Sequence, residues 1–592
     1  MWLKIVGSVI GVLVVALVAV GAAFYYGYVT IPWLSTTPEQ SARYYPDDVV
    51  FYTYLTLNPG GKQTRDMVDI FSRLMDMRAI RDLEEDLEDD LDDATGIEFE
   101  DIGDWVGWEI SMALMEVSRG GEIEAAGTVD VRDHSLANEF VEDLVDYLED
   151  ENYADYDRDS YKDFDVWIDQ NSDEAFALSD NLLVVATTED SLEDVLDRVS
   201  GNTTRTLSAN EDFQDAKAAL PDRRFASMYL SYDNLIDFIE DTSETGIFYE
   251  GGGCGEQFFQ TPDWLAVSVS WVERGLVMDI VSPVIGDAWP ESPELTDVSK
   301  ALPDDTLGFI AASFNPNLDT WRDALSQCKI SDLVGDSGFL SDEIAAVQAD
   351  WVWQVESVSR ASRPRPAPDL DIDSTFDDIL DFGLWSADHV TGVDIENDLI
   401  NHLRGDLILA VNEFDIQAVT DRPDQNPVEA VLMLSYHTDR EEHLRETADE
   451  FISLLEDEFD LDFDSASLGG GEATARVLDI GTDYTPGYVL HNGFFTIGTT
   501  KYTLEAIATL QEDGSLSSDS EYRRVIQHLP DDHDILGYID LQKVIDMAQS
   551  FDDSAIDRDV YDALEESLSA LAFSSSLDGE YSRFTMALTL FP

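Results

Sequence analysis

The stretch Trp264-Leu265-Ala266-Val267-Ser268-Val269-Ser270-Trp271-Val272, then Glu273-Arg274, then Gly275-Leu276-Val277-Met278-Asp279-Ile280-Val281-Ser282-Pro283, decides how this chain folds. Two runs of branched and apolar residues read as strands. The short charged turn between them can only pair them antiparallel. The last residues, Leu571–Pro592, have the same form, with two strand-like runs around Asp578-Gly579-Glu580. The end of the chain therefore repeats its middle.

Working outward, the repetition extends in unbroken order. Tyr45-Pro46-Asp47-Asp48 and Leu302-Pro303-Asp304-Asp305 each lead into an apolar run, as do Leu220-Pro221-Asp222 and Leu529-Pro530-Asp531-Asp532. Proline fixes φ and aspartate tolerates turn conformations, so these motifs read as turns rather than as acidic sites. Thr95-Gly96-Ile97 matches Thr391-Gly392-Val393, and Gly107-Trp108-Glu109-Ile110 matches Gly405-Asp406-Leu407-Ile408. Phe140, Leu144 and Leu148 match Phe451, Leu455 and Phe459; Thr187-Thr188 with Leu192 matches Thr499-Thr500 with Leu504; Phe213 matches Tyr522. The expectation is a tandem duplication, residues 40–285 and 298–592, with an insertion near 326–390. That insertion holds Trp351-Val352-Trp353 and a rare basic cluster, Arg360, Arg363 and Arg365. The expected fold class is α+β: an N-terminal transmembrane helix, then two duplicated halves with largely antiparallel sheets. Helices such as 136–149 and 189–199 are expected to cover one sheet face, and the halves to pack with pseudo-twofold symmetry.

The anchor is read from Ile5–Val29, an apolar run of about 25 residues, long enough to span a hydrocarbon core. Tyr25, Tyr26, Tyr28 and Trp33 follow at an expected interface, and Pro32 and Pro38 end the helix. A cleaved signal peptide is the alternative, although its apolar region is normally only about 7–15 residues long. The expectation is a signal anchor over residues 1–34, a single-pass membrane protein, and an extracytoplasmic bulk belonging to the cell envelope.

The full chain of 592 residues carries 124 Asp plus Glu against 34 Lys plus Arg, a formal net charge of −90. Nucleic acid is excluded as a partner, because phosphate binding needs cations. Disorder is excluded by a 44% hydrophobic and 10% aromatic content, which can bury sizeable cores. Ile80, Leu83, Leu87 and Leu91 form one helical stripe with acids on the other faces. Asp exceeds Glu and Arg exceeds Lys, a halophile-like balance in which salt screens mutual repulsion.

No catalytic template fits. The eight histidines include no His-Glu-x-x-His pair, and no Gly-x-Ser-x-Gly elbow is present. Gly251-Gly252-Gly253-Cys254-Gly255 lacks the ending of a phosphate loop. Asp155, Asp157 and Asp159 have positions 1, 3 and 5 of a calcium loop, as do Asp460, Asp462 and Asp464, and Asp369, Asp371 and Asp373. All three lack the turn glycine and the closing glutamate. No cofactor is expected, with calcium the one weak candidate metal. Cys254 and Cys328 are the only cysteines: either two free thiols or one disulfide.

The amino-terminal span, the Pro-Asp-led first strand, Thr95-Gly96-Ile97 before a Gly-led strand, and the duplicated layout resemble the bacterial family catalogued as domain of unknown function 3352. The resemblance covers roughly residues 40–590 and implies an anchored extracytoplasmic protein, with no functional residue to carry over. The expected function is a non-enzymatic binding or interaction module with a possible envelope protein partner. An envelope hydrolase using a carboxylate pair, or a structural surface protein, are the alternatives.

Overall fold

The computed structural model describes residues 39–56, 105–117, 123–150, 154–242 (without 202, 204 and 223), 262–284, 293–325 (without 294), 384, 393–414, 428–459, 461–478 (without 472), 485–549 and 564–590 (without 566 and 579). The first half contributes strands β1 (Phe51–Thr56), β2 (Val106–Val117), β3 (Ile123–Val131), β4 (Tyr156–Tyr161), β5 (Phe164–Asp169), β6 (Ala175–Leu178), β7 (Leu182–Ala186), β8 (Ala226–Ser231), β9 (Trp264–Val272) and β10 (Gly275–Pro283). The second contributes β11 (Gly308–Ser313), β12 (Leu403–Phe414), β13 (Val428–Tyr436), β14 (Phe463–Leu468), β15 (Ala473–Leu478), β16 (Gly487–His491), β17 (Phe494–Gly498), β18 (Ile535–Asp540), β19 (Leu568–Asp578) and β20 (Tyr581–Leu590).

Each pairing in one half has a counterpart in the other. The first half runs β4-β5-β6-β7-β3-β2-β1-β8-β9-β10, all antiparallel. The second runs β14-β15-β16-β17-β13-β12-β11-β18-β19-β20, likewise antiparallel. The last strands of the two series then pair with each other, which closes the described strands into one sheet of 20. This corrects the expected pair of sheets. The hairpin that ends each half leaves its outer strand with unpaired backbone groups. Two such equivalent edges satisfy one another.

The register of that join places a pseudo-twofold axis in the sheet. In their hairpins Gly275 lies opposite Val272 and Tyr581 opposite Asp578, so β10 and β20 are equivalent residue by residue. Across the join Asp279 faces Thr585, its own counterpart. A residue opposite its equivalent is the mark of an isologous contact, here within one chain. Asp279 and Thr585 are both buried, and Thr585 Oγ1 donates to Asp279 Oδ1 at 2.9 Å. Arg583 bridges to the same oxygen at 3.4 Å and donates to the Ala219 carbonyl at 2.8 Å. The cores cross the join as well. β10 gives Val281 to the first core and Val277 to the second, and β20 gives Ala587 to the second.

Local chemistry explains the elements around this frame. Asn492 and Gly493 take φ of 51° and 85°, as a two-residue hairpin between β16 and β17 requires. Helices α1 (His134–Asp150), α2 (Glu189–Val199), α3 (Glu211–Ala219) and α4 (Tyr232–Thr242) have second-half counterparts α6 (Glu441–Phe459), α7 (Lys501–Ala508), α8 (Ser520–Ile526) and α9 (Leu541–Gln549). Between the two sets lies α5 (Leu318–Leu325). Thr188 caps α2 through Ser191 N–H, and Thr500 caps α7 through Thr503 N–H. Asn210 and Asp519 likewise accept from the Phe213 and Tyr522 amides at the starts of α3 and α8.

The helices occupy both sheet faces, which corrects the expectation of one. Along β7, Leu183 packs in the cluster of α1 with Val141 and Val145, whereas Val184 packs with Leu192 and Val195 of α2. Successive strand residues point to opposite faces, so the two helices sandwich the sheet. On α1, Ala137, Val141 and Val145 are buried while Glu139, Asp143 and Asp146 are exposed, so the acids lie on its solvent side.

The expected single-pass anchor is also corrected. Among the described residues no helix is long and apolar enough to cross a membrane. Residues 1–34, on which that expectation rested, lie outside the described residues, as do Cys254, Cys328, Asp369, Asp371, Asp373, the basic cluster at 360–366 and the stripe from Ile80 to Leu91.

Candidate functional site

The duplication supplies its own control: where equivalent positions keep the same chemistry they serve the fold, and where they diverge they can serve something else. Three aromatic rings are retained. Tyr52, Phe213 and Tyr229 pack edge to face at 5.6 and 5.3 Å, and Phe309, Tyr522 and Tyr538 hold the same strand and helix positions. A buried carboxylate is retained too. Glu109 accepts from the Gln40 and Ser41 amides at 3.0 and 2.6 Å. Asp406 accepts from the Thr296 amide and hydroxyl at 3.3 and 2.8 Å. Both acids tie the short turn before the first strand of their half to a bulged second strand. The bulge aligns Glu109 with Asp406, one residue away from the match that the glycines suggest in the sequence. Asp130, beside Glu109, is pushed up to about 6 by burial and then by the Glu109 charge.

Against this shared frame the first half carries a narrow charged crevice with about 10 Å³ of free space, lined by Glu39, Tyr52, Phe213, Lys217, Arg224 and Tyr229 among others. The Glu39 side chain is only 5% exposed. Its Oε2 lies 2.7 Å from Lys217 Nζ and 3.9 Å from Arg224 Nη2. Its Oε1 is buried with no hydrogen-bond partner. Arg224 is held in place by donation to the Pro221 carbonyl at 2.7 Å. Tyr52 shares a 2.8 Å hydrogen bond with Ser41 Oγ, and burial, followed by the Glu39 charge, raises its hydroxyl well above the ordinary phenol value. Lys217 is 40% exposed and closes the solvent side. By the strand registers and the paired turns, the second half has Thr296, Phe309, Ile526 and His533 in place of Glu39, Tyr52, Lys217 and Arg224.

The acids suggested by calcium-loop spacing do not converge. Asp157 and Asp159 lie on β4, and Asp464 on β14, all exposed. Asp155 and Asp462 precede those strands, and Asp460 lies outside the described residues. Among the described residues no three His, Cys, Asp or Glu side chains are placed to hold a metal ion. The nearby acid that organises structure is Asp169, which has no calcium-like spacing. Its carboxylate accepts from the Asp155 and Asn171 amides and from Ser172 Oγ at 2.8, 3.1 and 2.6 Å. Burial alone would raise its pKa, but these bonds hold it below the usual carboxylate value. Among the histidines, His402 and His443 meet edge to face at 4.6 Å, a pairing their sequence separation does not reveal.

Neither Glu39 nor Lys217 stood out in the sequence. The available signal was a difference between repeats: Lys217 and Arg224 flank the Leu220-Pro221-Asp222 turn, while Ile526 and His533 flank its counterpart.

Two crystal structures of TP0453, crystal forms I and III, match at 9% identity, covering 43% of this chain and 82% and 83% of theirs. Their TM-scores of 0.24 and 0.23 are too low to carry an argument. No curated protein matches the sequence. A family model described as "Protein of unknown function (DUF3352)" matches residues 8–336, more than half of the chain. The chain belongs to that family.

Proposed function

We propose that this protein is a non-enzymatic binding module with an acidic, salt-adapted surface, and that its binding site is the first-half crevice around Glu39, Lys217 and Arg224. One observation carries this: an ion cluster with the Glu39 and Arg224 side chains buried and Lys217 at the solvent side occupies one copy of a repeated frame whose other copy keeps its aromatic support without it. Burying charges costs free energy that a fold-supporting role does not require, since the second half does without them. Small-molecule sites are concave, largely apolar and fitted with a few convergent polar groups, which describes the mixture of rings and cations here. With Glu39 in place the free space is about 10 Å³, room for one water, so what the crevice admits is a small group that takes the place of the Glu39 carboxylate. The acid excess of 124 over 34 keeps the protein soluble and repels polyanions, so an anionic ligand must be small enough to enter the local cationic pocket.

The test is equilibrium dialysis of the full chain against a mixed small-molecule library in molar KCl. Retained compounds should be recovered chemically unchanged. They should be lost by the triple variant Glu39→Ala/Lys217→Met/Arg224→Met, which makes the first half as uncharged here as Thr296 and Ile526 make the second. Conversion of a retained compound would overturn the non-enzymatic reading. Retention undiminished in the triple variant would overturn the site.

A further inference from the structure

Within that reading, we propose that the crevice recognises a carboxylate, and that Glu39 of the chain itself fills the site in place of the ligand. The cations come from elements that the chain fixes independently of Glu39. Lys217 lies on α3, whose start is capped by Asn210, and Arg224 is anchored to the Pro221 carbonyl. The pair therefore stands ready-made, and a carboxylate is the anion found on it. Glu39 fits the pair poorly. Lys217 holds Oε2 closely, the arginine contact is 3.9 Å long, and Oε1 is buried without a hydrogen-bond partner. A carboxylate ligand that satisfies both oxygens gains what Glu39 leaves unmade. The rings of Tyr52, Phe213 and Tyr229 are packed in the first core behind the cations, so the part of a ligand that enters is its carboxylate, and its body stays on the solvent side beside Lys217.

Glu39 precedes the turn Ser41–Arg43, which Glu109 holds through the Gln40 and Ser41 amides. The Glu39 side chain can thus leave the crevice while the backbone behind it stays tethered. The second half has Thr296 at this position, and Thr296 turns to Asp406 instead of entering the equivalent space. Occupation of the site by Glu39 is accordingly a first-half feature.

Benzoate is the probe, with benzamide as its uncharged analogue, titrated by calorimetry into the full chain in molar KCl. Removing an internal competitor that fills most sites raises apparent affinity by the inverse of the free fraction, about tenfold or more. Glu39→Ala should therefore bind benzoate at least about tenfold more tightly than the parent chain, with Glu39→Gln intermediate. Benzamide should not bind, and Lys217→Met/Arg224→Met added to Glu39→Ala should abolish benzoate binding. Equal affinity in the parent chain and both Glu39 variants overturns the proposal. So does benzamide binding as well as benzoate. If the parent retains library compounds at the crevice but the Glu39 variants gain nothing, the binding reading stands and the competitor role falls. If no variant binds anything, both fall.

Discussion

Arg583→Met should weaken the join between the two halves by an amount the structure lets one work out. Arg583 and Asp279 are 17% and 8% exposed, so the pair is largely removed from water. Removing one partner of a buried pair costs about 3–5 kcal/mol, because the other charge stays behind unpaired. The contact is 3.4 Å, longer than a good charge-assisted bond, and Thr585 still donates to Asp279. Both facts place the loss at or below the bottom of that range, at about 2–3 kcal/mol. Loss of the 2.8 Å bond to the Ala219 carbonyl adds about 1 kcal/mol. The compensating change is written in the duplication. The counterparts of Asp279 and Arg583 are Thr585 and Val277, so Asp279→Thr/Arg583→Val gives these two positions the residues of their own counterparts. That double variant should recover about 2 kcal/mol relative to Arg583→Met, since no buried charge is stranded. Urea unfolding in molar KCl, followed by tryptophan fluorescence, measures the global change. Hydrogen exchange of the β10 and β20 amides measures the local one. A single variant within about 0.5 kcal/mol of the parent would refute the assignment of a buried pair. A double variant no better than the single would refute the stranded-charge account.

Three further outcomes are expected. The unfolding midpoint should rise steadily from dilute buffer to molar KCl, because screening shortens from about 10 Å at 0.1 M to about 3 Å at 1 M and relieves repulsion among the acids; a flat profile removes the salt-adapted surface. Asp130 has its folded value raised above its unfolded one, so the folded state binds more protons between about pH 4 and pH 6 and stability should fall as pH rises through that window. Asp130→Asn should flatten that slope, as seen in urea midpoints at pH 4, 5, 6 and 7, and an unchanged slope would exclude Asp130 as its source. Among the described residues β4 and β14 each pair on one side only, and exposed Asp157, Asp159 and Asp464 line them. Charge on a sheet edge opposes pairing with another chain. Asp157→Val/Asp159→Val should therefore convert the protein to larger species in light scattering at high concentration, and a monodisperse variant would show that the charges do not guard the edge.

Much of the frame was legible in the sequence because it depends on neighbours. Alternation over Trp264–Pro283 marks a hairpin wherever it sits, and Thr188 and Thr500 cap helices through amides three residues away. The calcium-like acids illustrate the opposite error. A spacing of two suits a loop ligand set, yet in an extended strand it puts successive acids on one exposed face, and Asp157 and Asp159 are in a strand. The candidate site was scarcely legible, since Glu39, Lys217 and Arg224 come from a turn, a helix and a loop brought together only by folding.

By itself, then, the sequence determined the elements, their repeated order and the acidic character of the surface, all of which follow from local periodicity and composition. Tertiary structure alone decided the pairing of β10 with β20, the one-residue shift that aligns Glu109 with Asp406, and the charge cluster in one half. The physical reason is common to all three. A strand's hydrophobic pattern fixes which side chains share a face, but the free edge that takes up its unpaired backbone groups depends on every other strand in the sheet.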